Sequence, residues 1–182
     1  MSNKHRFSLA SQESRRELPS KIIIGQEQTE TIAHVVLKLL GYVLFYSPRL
    51  QVEPSLHDPN IPFTPDLVEL DYHLRPKLWV ECGECSVAKL HKLATKAPEA
   101  DLWILKRSHD AVDDLIRQMA KGELRQDRYN LLGFDQDTFE ELASLVGGRN
   151  EFTWVRGGVE AEELQFDFNG LWFEMPLLRK RF

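Results

Sequence analysis

Pro65-Asp66-Leu67-Val68-Glu69-Leu70-Asp71, then Leu78-Trp79-Val80-Glu81-Cys82-Gly83, then Lys89-Leu90-His91-Lys92: these three pieces set an acid at the head of one strand, an acid near the end of the next, and lysines on a helix. Acid alternates with apolar residues from Asp66 to Asp71, as in a half-buried strand, and Lys77 to Cys82 reads as its hairpin partner. Two carboxylates can hold a hard cation while an ammonium group stabilises charge on phosphate or water. The order acid, acid, lysine therefore predicts a magnesium-dependent phosphodiester-cleaving site. The same turn reads Cys82-Gly83-Glu84-Cys85, and a cysteine pair between strand and helix is the setting of a dithiol redox site. Two chemistries compete for one turn.

Upstream, residues 6–12 and 19–25 read as paired strands. A long helix follows, capped by Thr29, with Ile32, Val35, Val36, Leu39, Leu40 and Val43 at helical spacing until Ser47-Pro48. Leu50 to Val52 is a short strand, and Pro54 to Pro65 a proline-rich loop. Downstream, helices at Ser86 to Lys96, His109 to Lys121 and Asp135 to Val146 alternate with strands at Asp101 to Leu105 and Tyr129 to Leu132, which implies a partly parallel sheet with helices packed on it. After Gly147-Gly148 the pattern changes to strands at Glu151 to Arg156, Glu163 to Phe168 and Leu171 to Met175. Asn169-Gly170 joins the last two, a strong hairpin signal. This antiparallel C-terminal ribbon reads as an edge extension of the same unit, so that residues 1–182 form one mixed α+β domain.

The composition agrees: 182 residues with 42% hydrophobic content suffice for one core. No apolar run reaches the roughly 20 residues of a spanning helix, and Met1 to Arg6 leads into no signal-peptide stretch, so the expectation is a soluble, cytoplasmic protein with no membrane association. A net charge of −5 argues on average against nonspecific grip on a polyanion. Basic residues nevertheless gather at Arg15-Arg16, along Lys89, Lys92 and Lys96, between Lys121 and Arg128, and at Arg179-Lys180-Arg181.

In a strand Trp79 and Glu81 share one face and Leu78, Val80 and Cys82 the other. If Asp66 lies on the neighbouring strand with its carboxylate on the Glu81 side, the pair would take magnesium or manganese rather than zinc, all ligands being oxygen. The alternative is that Asp66 is a turn residue and Glu81 an exposed strand acid. Lys89 and Lys92 face the same way on their helix, either to reach the site or to cover the sheet with their stems. Glu30 in the first turn of the long helix would serve the helix dipole without catalytic duty. Zinc would need Cys82 and Cys85 with His73 and His91, a spacing that fits no familiar finger or ribbon. The redox reading lacks a proline facing the dithiol from a later strand start, since none occurs between Pro98 and Pro176. No Gly-x-Ser-x-Gly elbow or phosphate-cradling glycine loop is present.

With these residues laid out, the chain resembles the YaeQ family, a branch of the PD-(D/E)XK nuclease superfamily. The resemblance lies in Thr29-Glu30-Thr31, Lys38-Leu39-Leu40-Gly41-Tyr42, Pro65-Asp66-Leu67, Leu78 to Gly83, and Lys89-Leu90-His91-Lys92, and extends from the first strands to the closing hairpin. It implies a restriction-endonuclease-like mixed sheet flanked by helices, with Glu30, Asp66 and Glu81 as the acidic shell; it settles no substrate, and the combined reading is a magnesium site at Asp66 and Glu81 with nucleic acid as the candidate partner. The departure from the superfamily is at Gly83, where its lysine normally stands. Either Lys89 or Lys92 replaces it from the helix, or the site is inactive and the scaffold binds protein or nucleic acid.

Overall fold

Strand pairing starts at once in the computed structural model, which describes residues 3–182. β1 (Asn3–Ser11) and β2 (Lys21–Gln26) form an antiparallel pair that buries Phe7, Leu9 and Ile24. Helix α1 (Ile32–Phe45) follows and is buried continuously from Val35 to Leu44, as a helix apolar on every side must be. Gly41 permits its close approach to the sheet, because a Cβ there would stand 2.7 Å from a Leu67 methyl and 2.9 Å from a Leu105 methyl.

The remaining elements are β3 (Leu50–Val52), β4 (Leu67–Leu70), β5 (Pro76–Cys82), α2 (Val87–Lys96), β6 (Asp101–Lys106), α3 (His109–Lys121), β7 (Tyr129–Phe134), α4 (Gln136–Ser144), β8 (Arg149–Arg156), β9 (Glu163–Phe168) and β10 (Leu171–Arg181). All the strands join one ten-stranded sheet in the order β2-β1-β8-β9-β10-β7-β6-β5-β4-β3. The pairing is mostly antiparallel; β1 with β8, β5 with β6 and β6 with β7 are parallel. The helices form a layer on each face. α1 and α4 pack with Val80, Cys82, Leu105 and Leu132, whereas α2 and α3 pack with Trp79, Leu102, Ile104 and Leu131. Alternate residues of β5, β6 and β7 thus feed opposite cores.

The structure corrects three expectations. The cap of α1 is Thr31, whose hydroxyl accepts from the His34 amide; Thr29 and Glu30 precede the helix, and the Glu30 carboxylate turns back to accept from the Glu27 amide at 2.9 Å. The C-terminal ribbon is antiparallel but lies in the middle of the sheet, because β1 returns to pair with β8 and β10 pairs with β7; the edges are β2 and β3. Strand β10 also runs past Pro176 to Arg181. Proline lacks only the amide donor, and its carbonyl still accepts from the Asp135 amide as the strand passes from partner β9 to partner β7.

Candidate functional site

The hairpin of β4 and β5 sets Leu67 opposite Val80, so Asp66, one residue before β4, arrives beside the C-terminal end of β5. There Asp66 Oδ2 accepts from the Cys82 amide at 2.7 Å, and Oδ1 accepts from His34 Nε2 at 2.9 Å. A carboxylate can only accept, so His34 carries its proton on Nε2. Glu81 points, with Trp79, to the face of α2 and α3. Its Oε1 accepts from the Trp79 indole at 2.7 Å and its Oε2 from Lys89 Nζ at 2.8 Å. The Glu81 side chain is 4% exposed. Burial pushes its pKa up, Lys89 opposes that, and the nearby Asp66 charge adds to it.

On the α1 side, Glu30, just before the helix, stands beside His34, and Lys38 follows His34 by one helical turn. His34 Nδ1 is 3.4 Å from Glu30 Oε1. The Asp66 hydrogen bond outweighs burial and raises the His34 pKa. Lys38 Nζ donates to Glu30 at 3.1 Å, to Glu53 at 2.8 Å and to the Gly25 carbonyl at 3.2 Å. Burial lowers the Lys38 pKa, but the two carboxylates outweigh it and leave the ammonium above its usual range.

Glu30 and Asp66 therefore meet through His34, whereas Glu81 shares no hydrogen-bond partner with either and is tied to Lys89 instead. Lys89 is the helix lysine that arrives at an acid. Lys92, one turn on, is exposed and makes no hydrogen bond or ion pair among the described residues. Gly83 has φ +81, a left-handed conformation that strains any side chain, which accounts for glycine at this turn. Of the basic run at the C-terminus, Arg179 pairs with Glu160, Lys180 with Asp113 and Arg181 with Asp127, so its charge is locally offset.

The sequence reading gave no role to His34, Lys38 or Glu53. The signal was present for the first two: polar residues four and eight positions after Glu30, in a helix otherwise apolar all round, must have buried partners. Glu53 lies in the loop after β3, where no periodicity could point to it.

The two cysteines are free. Burial raises the Cys82 thiol well above its ordinary range, and burial with the Glu81 charge pushes Cys85 up to about 12. A dithiol redox pair needs a low thiol pKa, so this environment works against that chemistry. His73 lies in the exposed turn between β4 and β5, and His91 on the exposed side of α2; no group of three His, Cys, Asp or Glu side chains stands ready for a metal among the described residues. Magnesium asks for less, since it keeps several waters and takes one or two carboxylates. Asp66 and Glu81 are oxygen donors at one end of the sheet, and each of their four oxygens is hydrogen-bonded within the protein.

Comparison with known proteins agrees with this architecture. The crystal structure of the YaeQ protein from Xanthomonas axonopodis pv. citri is similar with a TM-score of 0.79 at 18% identity, covering 100% of this chain and 99% of that one. That of the YaeQ protein from Pseudomonas syringae gives 0.75 at 19% identity, covering 98% and 95%. No curated protein matches. At such identities the likeness speaks for the fold alone. The family model described as YaeQ protein matches residues 3–157, from β1 through β8, and the chain belongs to the YaeQ family.

Proposed function

We propose that the chain is a cytoplasmic, magnesium-dependent phosphodiesterase of PD-(D/E)XK type that acts on nucleic acid, built on a restriction-endonuclease-like sheet. One observation carries the reading: Lys89 on α2 brings its ammonium to 2.8 Å from Glu81 Oε2 at the end of the sheet where Asp66 lies, which supplies from a helix the lysine that Gly83 withholds. The parallel strands β5, β6 and β7 flanked by helices support the same view.

Asp66 and Glu81 would hold the cation. Magnesium, or manganese in its stead, would supply charge neutralisation at a phosphate oxygen and a water of lowered pKa. The chain's own groups do the rest. Lys89 stays protonated, since Glu81 outweighs burial and raises its pKa, and it can turn from Glu81 to a phosphate oxygen to offset charge that develops in the transition state. His34 fixes the Asp66 carboxylate, Glu30 stands beside His34, and Lys38 holds Glu30. Trp79 orients Glu81.

The test is to incubate the protein with single- and double-stranded DNA and RNA in magnesium, manganese or chelator, beside Glu81→Gln. Cleavage that needs the cation and Glu81 is expected. No cleavage of any substrate, or cleavage by Glu81→Gln equal to the parent's, would sink the reading. One observation favours a second reading, a noncatalytic scaffold that binds protein or nucleic acid: both oxygens of Asp66 and both of Glu81 already have protein partners.

A further inference from the structure

Two lysines among the described residues are buried, and their surroundings differ. Lys38, 0% exposed, is neutralised by Glu30 and Glu53. Lys106, 6% exposed, is neutralised by no carboxylate: its Nζ donates to the Gly83 carbonyl at 2.6 Å and makes no ion pair among the described residues. An ammonium has three donors, and a buried charge without a counter-charge is costly. Burial lowers the Lys106 pKa, and the distant Glu84 only partly opposes it.

Its position gives that cost a use. Lys106 ends β6, where Leu102 and Ile104 point to the core of α2 and α3, and alternation sends Lys106 to the same face. This is the face of Glu81. Gly83 continues the β5 pairing with β6, its amide donating to the Leu105 carbonyl at 2.9 Å. The N-termini of α2, capped by Ser86, and α3, capped by Ser108, open at this end and favour anions. Lys89 Nζ donates to Glu81 at 2.8 Å and Lys106 Nζ to the Gly83 carbonyl at 2.6 Å, so the two ammonium groups reach the same short segment at the end of β5, two residues apart. Open sheets bind ligands beyond the carboxyl ends of their parallel strands, and two cations along that rim match the repeating charge of a nucleic-acid backbone.

We propose that Lys106, with the opening turn of α3, holds a phosphate group of the nucleic-acid strand adjacent to the phosphate engaged at Glu81 and Lys89; this rests on the phosphodiesterase reading. The lysine is a binding residue and need not take part in bond cleavage.

The experiment measures binding of fluorescently labelled single-stranded DNA and RNA oligonucleotides in chelator, so that nothing is cut, for the parent, Lys106→Met and Lys106→Arg. The expected result is binding at least about tenfold weaker for Lys106→Met, with a salt dependence shallower by about one phosphate contact, and binding restored by Lys106→Arg. Thermal unfolding of Lys106→Met should come no earlier than the parent's, because an unneutralised buried charge has been removed. Binding by Lys106→Met equal to the parent's, or a parent that binds none of the probes, would overturn the proposal. So would an earlier melt of Lys106→Met together with failure of Lys106→Arg to restore binding, for the lysine would then only brace the Gly83 turn. A parent that binds through Lys106 yet cuts nothing defeats the nuclease reading and leaves this one standing.

Discussion

Replacing Lys38 by Met removes the one cation shared by Glu30 and Glu53 while keeping the side chain's length and apolar stem. Nζ lies 3.1 Å from Glu30 Oε1 and 2.8 Å from Glu53 Oε1, and the lysine side chain is 0% exposed. Removing one partner of a buried pair costs about 3–5 kcal/mol. The Glu30 side chain is 14% and that of Glu53 33% exposed, so water recovers part of the loss and the low end, about 3 kcal/mol, applies. For a chain of this length that is a fall in Tm of about 6–12 °C. Urea unfolding of Lys38→Met measures it directly. The triple variant Lys38→Met, Glu30→Gln, Glu53→Gln should recover most of the loss, since the stranded charges are gone.

The same pair has a signature in pH. The folded-state pKa of Lys38 is raised above 10.5, so its contribution is complete below about pH 10.5 and is lost as pH climbs through the raised folded value. Lys38→Met should lack that alkaline limb. Stability of Lys38→Met within about 0.5 kcal/mol of the parent's, or a triple variant no more stable than the single, would refute the account of the cluster as a neutralised buried charge.

Lys89→Ala should lower any magnesium-dependent phosphodiesterase rate on the order of a hundredfold, while the exposed Lys92→Ala leaves it unchanged; equal losses in a cleavage assay would remove Lys89 from its place at Glu81. Cys85→Ser should shift stability by less than about 0.5 kcal/mol in urea, and with a thiol pKa of about 12 the parent's Cys85 should resist iodoacetamide at neutral pH. Asp135 caps α4 by accepting from the Thr138 amide at 3.1 Å, so Asp135→Ala should cost about 1 kcal/mol. The Thr138 hydrogen bonds hold the Asp135 pKa below 3.8, so this contribution is full above that value and disappears as pH falls through the lower folded one, which a pair of acid denaturation curves would reveal.

The local elements were legible because each carries its own signal. The apolar spacing of Ile32 to Val43, the alternation around Trp79 to Cys82 and the Asn169-Gly170 turn all correspond to elements of the structure. What was not legible depends on distant pairing. Nothing in Arg149–Arg156 announces that β1, some 140 residues earlier, lies parallel to it, and without that pairing a terminal ribbon reads as an edge. The same limit applied to the site. Asp66, Glu81 and Lys89 stood out as residue types at suggestive spacings, and Glu30 only through the family resemblance, but the groups around them, His34 to Asp66 and Lys38 to Glu53, join α1 to loops remote in sequence. Lys106 was passed over because it closes an apolar strand as an ordinary flanking charge would.

The topology explains why these groups gather at one end of the sheet. β5, β6 and β7 run parallel, so their C-terminal ends, with Glu81 and Lys106 near them, share one rim, and each connection from that rim opens a helix whose N-terminus faces it. A parallel β4 would put Asp66, at its head, on the opposite rim. Because β4 pairs antiparallel with β5, Leu67 against Val80, its start coincides with the end of β5, and Asp66 meets the Cys82 amide. The three-residue register from Val80 to Cys82 is therefore what couples hairpin to site. A change that slips β4 by one residue would turn Leu67 out of the α1 core and carry Asp66 away from His34 together, so loss of packing and loss of the site should appear in the same variants.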